Sequence, residues 1–375
     1  MLLPRSARTQ KQIAMRLEDE MKALRLPQSI LFSGSPYTSR MTTALELALC
    51  LSGEEDKFDT LESANIIALS SRDSTLRIRA LRNLYEKDMT SSAFLNLVHE
   101  VRVMLLSCHE ALYTNSDKEV FAAASELSSI LMEEPAPDDR EASSQFLSAF
   151  DKAYDLFISK RRKSSLFTID QIRLIHSYLQ QNSEQNKVVI LENIEDVSTG
   201  AVNSILKLLE EPPEGAYIIL VSQNAGRIID TILSRVRHYE FPSISAECQR
   251  TLIRDSYRRD SSDLEEFFLI SSGLDLDQLN IFAEEFIYRL LVRKDGLTTE
   301  ETNSLCTFLD SFSAWRLFLE KCVCLAEDGF RQGKLDTHIC DMVLGIISRC
   351  YNNSQVYAQN RRVMLENIHR GILAL

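Results

Sequence analysis

The feature that most constrains this 375-residue chain is an alternation that stops and later resumes. SILFSGSP, after Leu26-Pro27, is a short apolar run ending in a turn, and TTALELALCL (42–51) has the periodicity of the helix that would follow it. ANIIALSS (64–71) is a second such run. Far downstream, KVVILEN, AYIILVSQ and HYEF alternate with the helical patterns FTIDQIRLIHSYLQQN, TGAVNSILKLLEE and TILSRV. Apolar strands interleaved with helices predict a parallel sheet with both faces covered. The expected fold class is therefore α/β, and a strand–loop–helix unit near its start is the form of a phosphate-binding domain. A further amphipathic helix is expected over 8–24.

The interruption, residues 75–163, carries helical spacing alone. Phe94, Leu97, Val98, Val101, Met104, Leu105, Cys108 and Leu112 form one stripe, Val120, Phe121, Ala124, Leu127 and Leu131 a second, and Phe146, Phe150, Ala153 and Phe157 a third. This segment reads as a helical insertion whose stripes pack against one another. After Pro242 the patterns are helical throughout. The expected division is an α/β domain over 1–241, a small helical group over 242–279 and a larger helical bundle over 280–375. In the bundle, Leu309, Phe312, Trp315, Leu317 and Leu319 are candidates for a buried stripe.

Charge disfavours one function class, autonomous DNA binding. With 42 basic and 54 acidic side chains the formal charge is −12, against the basic excess that gripping phosphate backbones alone requires. The basic run Lys160-Arg-Arg-Lys163 reads as a solvated linker where the insertion rejoins the fold. Eight cysteines have no C-x-x-C pair, so neither a zinc site nor another metal site is expected. Unpaired cysteines, no apolar leader at the N-terminus and no apolar run of ~18 residues point to a cytoplasmic protein off the membrane. His109, beside Cys108, has no spaced companions and reads as structural.

The loop after the first strand is Gly34-Ser-Pro-Tyr-Thr-Ser-Arg-Met-Thr42. A working phosphate loop is G-x-x-x-x-G-K-[ST]: its backbone N–H groups surround phosphate, its Lys reaches the outer phosphates and its hydroxyl ligates Mg²⁺. Gly34 fits that pattern. Ser39 stands at the second Gly, Arg40 at the Lys and Met41 at the hydroxyl, leaving Thr42 to serve only in a re-spaced loop. KVVILEN should end in an acidic pair for metal and water, and it offers Glu192 and Asn193. Both halves of one site are altered, so binding or hydrolysis of ATP is not expected.

Around this site, NSILKLLEEPPEGAYIILVSQN and TILSRVRHYEF resemble the bacterial clamp-loader ATPases, members of the AAA+ family. FTIDQIRLI, ISSGLDLDQL and NRRVMLENIHRGIL resemble, in order, the helix before the acidic strand, the glycine turn of the lid and the last collar helix. The resemblance covers roughly 28–72, 165–295 and the final 25 residues. It implies an AAA+ domain, with 242–279 as lid and 280–375 as oligomerisation collar. The altered site is similar to the delta-prime type rather than to the ATP-hydrolysing gamma/tau type. The family's four-cysteine zinc module is absent, the insertion has no counterpart, and no arginine follows Gly273.

The resemblance further implies that Arg235, with Ser234 before it in the SRV element, reaches a neighbouring subunit's ATP as an arginine finger. A planar, permanently charged fork on a short rigid element is what that task needs. Glu210 and Glu211 end a helix where the macrodipole disfavours anions. That makes them candidates for an interface, or else a solvated end compensated by Lys207. The implied function is a non-hydrolysing stator in the DNA polymerase III clamp loader. Its expected partners are gamma/tau- and delta-type subunits and, through them, the sliding clamp and primed DNA. The alternatives are an active gamma/tau-type motor using Arg40 and Thr42, and a stand-alone DNA-binding factor.

Overall fold

The computed structural model describes residues 2–70, 74–112, 114, 117–136, 139–161, 167–333, 335–356 and 360–375. The chain divides into two compact units, one reaching to Glu265 and the other Glu266–Leu375. In chain order the first contains α1 (Pro4–Ala7), α2 (Lys11–Lys22), β1 (Ser29–Gly34), α3 (Arg40–Ser52), β2 (Ile66–Ser70), α4 (Thr75–Asp88), α5 (Ser91–Leu105), α6 (Lys118–Ile130), α7 (Arg140–Lys160), α8 (Ile169–Leu179), β3 (Lys187–Glu192), α9 (Thr199–Glu210), β4 (Ala216–Ser222), α10 (Asp230–Leu233), β5 (Arg237–Phe241) and α11 (Ala246–Tyr257). α12 (Leu264–Ser271) follows, then α13 (Leu276–Tyr288), α14 (Thr299–Phe312), α15 (Trp315–Arg331), α16 (Thr337–Val356) and α17 (Arg361–Leu373).

The five strands form one parallel sheet in the order β2-β3-β4-β1-β5. The α/β class expected from the sequence is the class observed. Each central strand is apolar on both sides because both faces are covered. One core joins Ile30 and Phe32 to Ala44, Leu47 and Ala48 of α3, and the opposite core joins Leu31, Val189 and Leu191 to Ile172 and Ile175 of α8 and Ile205 and Leu208 of α9. Chain reversal at each strand end brings the carboxyl ends of β1, β3 and β4 to one edge, where Ser33 registers with Ser222, and Val221 with Glu192.

The helix expected over 8–24 is α2, which starts at Lys11, and the short α1 precedes the expected span. Glu46, buried in α3, accepts hydrogen bonds from the backbone N–H groups of Arg5 and Ser6 at 2.8 Å, and so holds α1 separately. Between β2 and α8 the chain runs through α4–α7. Their stripes meet in an aromatic cluster in which Tyr85, Phe94 and Phe146 lie edge to face at 5.1–5.7 Å.

This helical segment also grips the last turn of α11. Asn96 donates to the Ser256 carbonyl at 2.9 Å, and Arg259 reaches Asp88 at 2.6 Å. Arg77, ion-paired with Glu100 at 2.9 Å, bonds Tyr257. The second unit packs α13, α15, α16 and α17 together, with Leu309, Trp315, Leu317 and Leu319 buried and Phe312 half-buried.

Candidate functional site

Gly34 closes β1, and its backbone lies against β5. A Cβ there would stand 2.5 Å from the Phe241 carbonyl oxygen, at a φ of +153°. The loop that follows is held by the protein's own side chains. Gln10 donates to the carbonyls of Thr38 (3.2 Å) and Pro242 (2.8 Å), and Thr9 donates to the Ser39 hydroxyl at 2.9 Å. Thr38 turns back onto the Ser35 carbonyl at 2.9 Å. Ser39 sits in the left-handed region, φ 65°, at the position where the phosphate-loop pattern has glycine. A side chain costs about 1–2 kcal/mol in that conformation, and the Thr9 hydroxyl and the two bonds Thr43 makes to the Ser39 carbonyl offset part of it.

Arg40 points into the molecule. It is 8% exposed, its Nε donates to Thr38 Oγ1 at 3.2 Å, and its Nη1 donates to the Ser222 carbonyl at the end of β4. A guanidinium has donors and no acceptor, so a buried one must find carbonyls, and the strand edge supplies one. Met41 packs against the apolar core beneath β1, and Thr42 is half-buried beside it.

Glu192 ends β3, buried, and accepts from Ser70 Oγ at 2.6 Å. Asn193 takes the left-handed conformation (φ 59°) that Asn tolerates better than most residues, and its amide oxygen lies 3.4 Å from Gln223 Nε2. The acids just beyond it turn elsewhere: Glu195 accepts from the Gln223 N–H, and Asp196 pairs with Arg227.

The second cluster brings together residues 25 positions apart. Arg235, just past α10, donates from Nε to Glu210 Oε1 at 2.7 Å and from Nη2 to the same oxygen at 2.5 Å. Its Nη1 donates to the Thr231 carbonyl at 2.8 Å and the Ser234 hydroxyl at 3.3 Å. The two side chains are 33% and 47% exposed. Glu211 caps α9 through its backbone and is exposed. Sequence reasoning singled out Arg235 and Glu210 separately and offered Lys207 as the compensating cation; Arg235 is the partner observed.

His109 is half-buried. It accepts from the Ala111 N–H at Nδ1 (3.1 Å) and, as the Nε2–H tautomer, donates to the Ala64 carbonyl (3.0 Å), and burial lowers its pKa. Of the basic run at 160–163, Lys160 pairs with Glu119, and residues 162 and 163 lie outside the described residues. Lys187 was missed: buried, it donates to the carbonyls of Tyr178 and Gln181 and so closes the end of α8. Among the described residues no three His, Cys, Asp or Glu side chains are grouped to hold a metal ion, and no helix is long and apolar enough to cross a membrane.

A parallel sheet with a glycine-ended first strand and an acidic third strand is an α/β fold of the P-loop type. A family model described as DNA polymerase III, delta subunit, matches residues 9–245, and the chain belongs to that family. DNA polymerase III subunit delta' of Buchnera aphidicola (subsp. Schizaphis graminum) is 35% identical over 82 residues, 21% of this chain and 25% of that protein. DNA polymerase III subunit tau of Bacillus subtilis is 35% identical over 81 residues, 21% of this chain and 14% of that protein. The chain thus spans a quarter or less of these two relatives. A DNA polymerase III gamma subunit-related protein of Thermotoga maritima, solved as a crystal structure, has a TM-score of 0.42 at 14% identity over 96% of this chain and 98% of that one.

Proposed function

We propose that this chain is a non-hydrolysing subunit of the DNA polymerase III clamp loader, working in the cytoplasm as a stator of the delta-prime type. In this reading it binds neither ATP nor metal. It joins gamma/tau- and delta-type subunits, presents Arg235 to ATP held by a neighbour, and helps place the sliding clamp on primed DNA. The collar (280–375), which follows the lid (242–279) in the chain, carries its assembly.

The observation that carries the reading is the orientation of Arg40. The residue that would reach outer phosphates is buried and bonded to Ser222, and removing it from that carbonyl leaves a buried acceptor unpaired at about 1–3 kcal/mol. Met41 in the core and Asn193 beyond the acidic strand support the same conclusion, since a thioether does not ligate Mg²⁺ and an amide cannot accept a proton from water.

The alternative, a gamma/tau-type motor, draws on the match to the tau subunit. A fluorescent ATP analogue titrated into the pure chain at physiological magnesium separates the two. We expect no saturable binding; magnesium-dependent turnover by the wild-type chain would sink the proposal. The Ser39→Gly, Arg40→Lys, Met41→Thr triple variant should also show no turnover, because the base remains missing at Asn193. In reconstituted loader, Arg235→Ala and Arg235→Lys should leave assembly intact by gel filtration while slowing DNA-stimulated hydrolysis. Arginine fingers contribute about 10³–10⁵ in rate, diluted here by the other sites of the ring.

A further inference from the structure

We infer that Glu210 is a latch for Arg235, holding the guanidinium out of action until a neighbouring subunit's nucleotide displaces it. The inference rests on the proposed role of Arg235 and adds a second residue to it.

A guanidinium presents its strongest recognition edge through Nε–H and one Nη–H, the pair that matches a carboxylate or a phosphate. In this chain that edge is taken by Glu210 Oε1, at 2.7 and 2.5 Å, and Nη1 is taken by Thr231 and Ser234. An arginine so engaged is ordered but nearly neutralised, and it cannot offer its fork to phosphate without releasing the glutamate. Release is easy, because both partners are a third or more exposed and an exposed pair shifts an equilibrium only about two- to fivefold.

Glu210 also supplies the restoring force. It occupies the last position of α9, where the exposed carbonyl ends repel a carboxylate. Arg235 relieves that repulsion, so its departure leaves the glutamate in an unfavourable place and draws the arginine back once phosphate is gone. A residue that breaks the helix-end charge rule, and is paired across 25 positions with the finger, is accounted for by this one role.

The test uses reconstituted loader carrying Glu210→Gln, Arg235→Ala or both, with DNA-stimulated kcat/KM for ATP as the readout and gel filtration as the assembly control. A latch opposes engagement, so Glu210→Gln should raise kcat/KM, by at most about two- to fivefold because the other sites of the ring dilute the gain. In the Arg235→Ala background the same substitution should change nothing. Glu210→Asp, too short to reach Nε and Nη2 together, should behave like Gln and serves where the Gln variant assembles poorly. Unchanged or lowered kcat/KM in the single variants would overturn the latch, as would a rise that persists without Arg235. Wild-type kcat/KM in Arg235→Ala alone would instead overturn the finger.

Discussion

Two arginines on the α/β unit face opposite fates. Arg40 stands at the loop beside β1, buried, with its donors committed to Thr38 and to a backbone carbonyl of β4. Arg235 stands beyond α10, one-third exposed, with its donors on an exposed glutamate and the turn beneath it. Detaching the first leaves buried polar groups unpaired, at about 1–3 kcal/mol. Detaching the second costs about 0–1 kcal/mol, because water and salt stand ready to replace a surface partner. The same functional group is therefore part of the scaffold in one place and available to a partner in the other. Availability is set by burial and by the cost of the bond already made, not by residue type.

Substitutions can break or sharpen this contrast. The largest expected effect is at Gly34: Gly34→Ala drives a methyl into the Phe241 carbonyl, and β5 must shift, so urea unfolding should show a loss of about 3 kcal/mol. Wild-type stability would mean that β1 and β5 lie farther apart than described. Next, Arg40→Ala should destabilise by about 1–3 kcal/mol in the same assay, whereas Arg235→Ala should change stability by less than about 1 kcal/mol. Equal losses at the two positions would erase the distinction drawn above.

Ser39→Gly should stabilise slightly, by about 0.5 kcal/mol, since release of left-handed strain outweighs the lost bond from Thr9 and the freer unfolded chain. A loss exceeding about 1 kcal/mol would show that the bond matters more than the strain. The smallest effect is with pH and belongs to the scaffold rather than to either arginine. Burial lowers the pKa of both His99 and His109 below the ordinary 6.5. Their contribution is thus fully present above pH 6.5 and is lost as pH falls through the folded values, where the unfolded chain takes up protons first. His109→Gln should flatten that acid-side slope of stability; an unchanged slope would show that His109 is not kept neutral by folding.

The sheet was legible because its strands are buried on both faces and so read as unbroken apolar runs; all five fall within a residue or two of the expected places. The insertion was legible as helices for the complementary reason, three stripes of helical period facing one another. Legibility ends where a contact joins distant residues through a backbone atom. Ser222 offers Arg40 a carbonyl, which every residue possesses, 182 positions away, and no pattern of side chains announces it. Glu210 and Arg235 were each visible from a local rule, the helix-end charge and the SRV element, but their pairing depends on how α9 and α10 pack. The short α1 left no trace in the sequence because its four residues are too few to show a period, and it is held from outside, by Glu46.

The grip of the helical insertion on α11 has a consequence for synthesis. Asn96 and Ser256 are 160 positions apart, and Asp88 and Arg259 171. At ribosomal rates of about 5–20 residues per second, the α4–α5 surface emerges roughly ten to thirty seconds before the helix that covers it. Until then Leu81 and Leu84, which line the contact with Ser256 and Tyr257, have no α11 against them. A nascent chain arrested before residue 246 would expose this patch to chaperones or to other chains, and completion of α11 would end that exposure in one step.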